Sequence, residues 1–168
     1  IPKLVERFSP ENARSPLMLA NTLHQFNRYY GAHNMESTNP YPGIPELLRE
    51  LHDRGLQMAV CSNKADEFSR VIVEHYFPGI FRLVRGNIPG TPVKPDPGVA
   101  KGIMERLGAE PGETLMVGDS DVDIHTGHNA GLRACGVTWG FRSRENLVDA
   151  GADVLADTTA ELKAVILG

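Results

Sequence analysis

Cysteine, an excess of positive charge and long apolar runs are all scarce in this sequence, and each scarcity removes a class of function. Its two cysteines, Cys61 and Cys135, stand apart, with no CxxC and no Cys/His spacing that could build a zinc site. Each lies in an apolar segment that reads as a strand, so both are expected to be buried thiols of a reducing cytoplasm. Seventeen Lys and Arg face 21 Asp and Glu, a formal charge of -4 and a pI near 5.9. That leaves no basic stripe for a nucleic-acid backbone or an anionic membrane, and neither partner is expected. No apolar run approaches the roughly 18 residues needed to cross a bilayer. The opening IPKLVERFSPENARS also lacks the basic-then-apolar plan of a signal peptide. The expected location is the cytoplasm. Internal repeats and low-complexity tracts are absent too.

What is present is an ordinary soluble composition, 41% hydrophobic and 23% charged, over 168 residues, enough to bury a real core. The chain opens with Ile1, not Met, and a helix is predicted almost at once, as in a protein entered in mid-chain. Leu17, Leu19, Ala20, Leu23, Phe26 and Tyr30 recur at helical spacing between Pro16 and Gly31; Ile44, Leu47, Leu48 and Leu51 do so between the turn PYPG and Gly55. Neither amphipathic helix carries obvious chemistry. Beyond Gly55 the pattern changes. Short apolar runs predict strands at 57–61, 81–85, 114–117, 133–137 and 154–155, and helices fill 66–75, 97–107, 124–130 and 159–167. Strands separated by helices mean right-handed crossovers and a mostly parallel sheet covered on both faces: an α/β, three-layer, Rossmann-like fold. A composition shift near Asn39 to Gly43 divides a helical piece, 1–39, from the sheet domain, 40–168.

In an open parallel sheet, ligands bind outside the carboxyl ends of the strands. Three of those loops carry polar sets: Ser62-Asn63-Lys64, then Lys94-Pro95-Asp96-Pro97, then Gly118-Asp119-Ser120-Asp121-Val122-Asp123. Ser62, with the N-H groups that follow it, could hold a phosphate where a helix begins, or could simply cap that helix. Lys94 is biased to an extended conformation by Pro95 and could point inward to neutralise a phosphoryl group; a loop lysine can equally be solvated. Asp119, Asp121 and Asp123 repel one another unless a cation sits among them, and magnesium takes only one or two carboxylates with water and phosphate. They could also favour the next helix's positive end, a role that fits the central Asp121 best. Hydroxyl, lysine and acidic cluster, each at a strand end of one sheet, together supply parts for holding a phosphate and a magnesium ion.

On these residues the chain resembles the haloacid dehalogenase superfamily, with Ser62 in place of its second motif, Lys94 of its third, and Gly118-Asp119-Ser120 with Asp123 of its fourth. PYPGIPELLRELHDRG (40–55), VCSNK (60–64), VKPDP (93–97), VGDSDVDI (117–124) and GVTWGF (136–141) are similar to phosphoglycolate phosphatases in particular. The resemblance implies a magnesium-dependent phosphomonoester hydrolase acting on a small metabolite such as 2-phosphoglycolate. Ser62 and Asn63 would bind the phosphoryl group, Lys94 would bind it and stabilise the nucleophile, and Asp119 and Asp123 would form the Mg2+ site, Asp123 orienting either the metal's water or Lys94. The helices before Asn39 resemble a cap that selects the substrate.

The family's aspartate nucleophile and its acid/base partner, a DxD at a strand end, are missing; the one DxD, Asp121-Val122-Asp123, belongs to the acidic motif. Without that carboxylate no aspartyl-phosphate forms, so the chain as given is expected to be inactive. The family places the nucleophile's strand centrally, between those ending at Ser62 and Asp119. A strand there is expected to come from the protein's own N-terminal segment or from a second copy, since an empty slot would leave two rows of backbone groups unpaired. Other superfamily activities (phosphosugar mutase, pyrophosphatase, phosphonate hydrolase) remain open, as does a non-catalytic phosphate-binding module.

Overall fold

The computed structural model describes Pro10 and residues 15–168; the helix expected from Ile1 lies outside the described residues. Helix α1 (Pro16–His33) starts where Ser15 accepts the Met18 N-H on its hydroxyl, with proline in the first turn, where a missing N-H costs nothing. Then come α2 (Ile44–Asp53), β1 (Ala59–Ala65), α3 (Asp66–Tyr76), β2 (Leu83–Asn87), α4 (Gly98–Leu107), β3 (Leu115–Gly118), α5 (Asp121–Ala130), β4 (Arg133–Val137), α6 (Arg144–Asp149), β5 (Val154–Ala156) and α7 (Thr159–Leu167). The class is α/β, with every strand pair parallel.

The strands form two ladders, β1-β2 and β3-β4-β5, and β1 is not paired with β3. In β4 the alternation of a doubly covered strand is plain. Cys135 and Val137 pack on Leu47, Leu51 and Leu162 from α2 and α7, whereas Ala134 packs on Ile124 and Leu147 from α5 and α6. Gly136 is small for the same reason: a Cβ there would stand 2.8 Å from Leu155 and 3.2 Å from Leu147 side-chain atoms. A third cluster, Ala100, Met104, Ala130 and Leu132, seats α4 against α5. On the other side, α1 lies on α3 by way of Tyr30 and Phe68, whose rings meet edge to face at 5.2 Å.

Five of these elements differ by two or more residues from the sequence reading. Helix α1 continues through Gly31, expected as its stop, to His33. The second strand begins at Leu83, not 81, because Phe81 is engaged edge to face with Phe77 and pairing starts with the Arg82 N-H on Met58. The fifth helix begins at Asp121, not 124, since Asp121 and Asp123 both favour a first helical turn. Strand β1 runs to Ala65 instead of stopping at 61, for reasons that belong to the site. The short helix α6, capped by Ser143, was not expected; six residues are too few to show a period.

Candidate functional site

Ser62, Asn63 and Lys64 leave the ladder as a bulge. Cys61 pairs with Arg85 and the next pair is Ala65 with Asn87, so three residues of β1 oppose the single residue Gly86. Only glycine fits there. A Cβ on Gly86 would lie 2.5 Å from the Asp66 Cα and 2.6 Å from the Lys64 carbonyl oxygen. Asp66 fastens the far end, accepting the Gly86 N-H at 2.8 Å and Arg70 Nε at 2.6 Å. Chiefly the Arg70 guanidinium, with help from the Gly86 N-H, holds the Asp66 carboxyl below its usual range.

The bulge organises the site. Ser62 Oγ accepts the Lys64 N-H at 3.1 Å. Asn63 uses both ends of its amide on the backbone of Lys94, Nδ2 donating to the carbonyl at 3.0 Å and Oδ1 accepting the N-H at 2.8 Å. A side chain thereby gives Lys94 the pair of bonds a neighbouring strand would give. Lys94 in turn extends its ammonium across to the other ladder, donating to the Cys61 carbonyl at 2.8 Å and to Asp123 Oδ1 at 2.6 Å. The Lys94 and Asp123 side chains are only 12% and 10% exposed, so the two charges need each other and their further hydrogen bonds. The other Asp123 oxygen accepts the Ser120 hydroxyl at 2.6 Å. Gly118 makes room for this carboxylate, since a Cβ there would fall 2.1 Å from that of Asp123.

Asp119 is held from a different direction. Its Oδ2 accepts the Phe141 N-H at 3.0 Å and its carbonyl the Arg142 N-H at 3.2 Å. Gly140 permits the approach, because a Cβ would meet the Asp119 Cβ at 2.2 Å. The loop after β4 therefore cradles Asp119, a role that Gly140 and Phe141 do not announce in sequence. Ser62, Asn63, Lys94, Asp119 and Asp123 all line one open cleft of about 480 Å³, together with Lys64, Ser120 and Arg142. Asp121 instead pairs with Arg142 at 3.2 Å and lines a separate cleft with His125 and Asp149. Beneath Lys94, burial pushes the Cys61 thiol above its usual range, against a smaller pull from the lysine's charge, which keeps it protonated and unreactive.

Among the described residues no three His, Cys, Asp or Glu side chains gather to cage a metal ion. The cleft nevertheless suits magnesium, which takes one or two carboxylates and leaves its remaining positions to water and phosphate. Of the two candidate ligands, Asp123 has both oxygens engaged by protein donors, whereas Asp119 has a hydrogen bond to one oxygen only.

The family model of haloacid dehalogenase-like hydrolases matches residues 4–137. Phosphoglycolate phosphatase from Vibrio vulnificus is 34% identical over 84% of the chain and 63% of its own length. That from Aquifex aeolicus is 37% identical over 69% of the chain and 55% of its own length. The chain thus spans less than two thirds of these relatives. A crystal structure from Lactobacillus delbrueckii subsp. bulgaricus, of a protein assigned to the phosphoglycolate phosphatases, superimposes with a TM-score of 0.86 at 36% identity, covering 95% of this chain and 67% of that one.

Proposed function

Because the chain belongs to the haloacid dehalogenase-like hydrolases, we propose that the protein hydrolyses small phosphate monoesters, with 2-phosphoglycolate the foremost substrate. The observation that carries this reading is Lys94, strung between the Cys61 carbonyl and Asp123 in a cleft that also presents Ser62 and Asp119. An ammonium has three donors, and two are committed; the third is available to a phosphoryl oxygen, where its charge counts most as negative charge shifts in the transition state. Ser62 offers a hydroxyl to the same group. Asn63, whose amide is spent on Lys94, positions that lysine and has its backbone N-H to offer phosphate.

Magnesium, held by Asp119 with Asp123 at one remove, would supply counter-charge to the phosphate. Asp123 balances the Lys94 ammonium and aims it. On this reading the attacking carboxylate sits on a strand between β1 and β3, supplied by an N-terminal segment or by a second copy. Its oxygen bonds to phosphorus as the ester P-O bond breaks, the leaving oxygen taking a proton from the acid/base aspartate of the same DxD. Water, giving a proton back to that aspartate, then attacks phosphorus to free the carboxylate and release phosphate. Relatives named for phosphoglycolate support the choice of ester.

The test is phosphate release by the full-length protein. Turnover of 2-phosphoglycolate is expected to require magnesium, and Asp119→Asn to lower it by about 10- to 100-fold. Unchanged turnover in excess chelator would sink the metal assignment, and a hexose phosphate preferred by kcat/KM would sink the choice of substrate.

A further inference from the structure

Three cations line the cleft, and two of them have carboxylate partners: Lys94 has Asp123, and Arg142 has Asp121. The third, Lys64, has none among the described residues. Its nearest acid in sequence, Asp66, is committed to Arg70 and the Gly86 N-H. Lys64 is half-buried, and its ammonium donates instead to the phenol oxygen of Tyr30 from α1, lying 5.0 Å from the centre of that ring. A phenol hydroxyl supplies no charge to balance the ammonium, and among the described residues two of its three donors have no acceptor.

The geometry points to Lys64 and Tyr30 as the subsite for a second anionic group on the substrate, a carboxylate lying close to its phosphate. Lys64 is two residues from Ser62 on the lining of the same cleft, and its backbone N-H is bonded to the Ser62 hydroxyl, so the stretch of chain between them is held compact. The Tyr30 oxygen accepts from Lys64, which leaves its O-H free to donate to the same anion. Its ring is fixed by stacking on Phe26 at 5.5 Å and by the edge contact with Phe68, so little freedom is lost when an anion arrives. The two donors come from opposite sides, the β1 bulge and α1. A short acid can bridge from Ser62 to Lys64, whereas an ester lacking the carboxylate leaves the half-buried cation without a partner.

This inference rests on the phosphatase reading, and the experiment separates the two. The full-length protein and its Lys64→Met, Lys64→Arg and Tyr30→Phe variants are assayed on 2-phosphoglycolate and on 2-hydroxyethyl phosphate, which replaces the carboxylate with a hydroxymethyl group. The ratio of kcat/KM for the acid to that for the neutral ester is expected to fall about 10- to 100-fold in Lys64→Met, through KM, and severalfold in Tyr30→Phe. Lys64→Arg is expected to restore most of it. Equal losses on both esters, or an unchanged ratio, would overturn the subsite while leaving the phosphatase standing, as would a parent protein indifferent to the carboxylate. A parent protein that hydrolyses neither ester overturns both readings. Should Lys64→Met fail to fold by thermal melting, the ratios in Tyr30→Phe and Lys64→Arg decide.

Discussion

Strand β4 and the strands β1 and β3 are built from similar small and apolar residues and end in different states. In β4, Ala134 and Cys135 are wholly buried, whereas Val117 of β3 is 38% exposed and every residue of β1 is only half-buried. The difference is one of neighbours. β4 has a hydrogen-bonded strand on each side and helices on both faces; among the described residues β1 and β3 are each paired on one side only. An unpaired flank exposes backbone groups, and here one of them, the Cys61 carbonyl, is met by the Lys94 ammonium instead of another strand. The doubly paired β4 thus holds the fold, and the open flanks line the candidate site. What makes a poor core makes a usable site, because only there can a lysine, a carboxylate and a ligand reach the same space.

The strongest way to sharpen that contrast is to remove the bridge itself. Lys94→Ala is expected to lower kcat about 100- to 1,000-fold in the full-length protein, with a much smaller change in KM. It should also destabilise the fold by about 3–5 kcal/mol, because Asp123 is left buried without its cation. A rise in KM with kcat untouched would show that the lysine only binds substrate.

Leu147→Ala puts the opposite half of the contrast to the test. Leu147 is fully buried between Ala134 and Ile124, away from the cleft, and its loss should cost about 2–5 kcal/mol by urea melting. Turnover per folded molecule should stay within about twofold of the parent. A large fall in kcat among molecules shown to be folded would mean that the core around β4 also tunes the site.

How much of this was legible beforehand follows the same division. Strand β4 lies where its apolar run predicts, 133–137, because a strand buried on both faces is written in its own residues. Ser62, Asn63, Lys94, Asp119 and Asp123 could be picked out because each follows a short apolar run, and the structure brings them to one cleft. The bulge could not be seen, since it depends on Gly86 lying opposite and on no feature of 62–64 themselves. Nor could the service of Asn63 to Lys94, or of Gly140 and Phe141 to Asp119, which are contacts between residues 31 and 22 positions apart. Tyr30 counted only as one apolar position of a helix; its hydroxyl acquires a role through Lys64, which lies 34 residues further on. Periodicity reports what a residue is buried against in its own element, and the site is made between elements.

The smallest expected effect compares the two ladders in acid. Asp66 ties the end of β1 to β2, and Asp153 does the same for the β3-β4-β5 ladder by accepting the Ala134 N-H at 2.7 Å and His128 Nε2 at 3.0 Å. Both carboxyls are held below their usual range, Asp66 mainly by Arg70 and Asp153 mainly by the Ala134 N-H and then by His128. A carboxyl whose pKa is depressed by folding adds stability above its unfolded value, near about 4, and loses it as pH falls through the folded value. Both contributions therefore persist at neutral pH and fade below about pH 4. Their sizes should differ, because the Asp66 side chain is 18% exposed and that of Asp153 is 40%, where water screens much of the interaction. In urea melts from pH 7 down to about 2.5, Asp66→Asn should start less stable than the parent by about 1 kcal/mol and converge on it in acid. Asp153→Asn should start closer to the parent and converge less. A deficit in Asp66→Asn that stays constant through the acid range would mean that its charge does no work and that the bulge is held by shape alone.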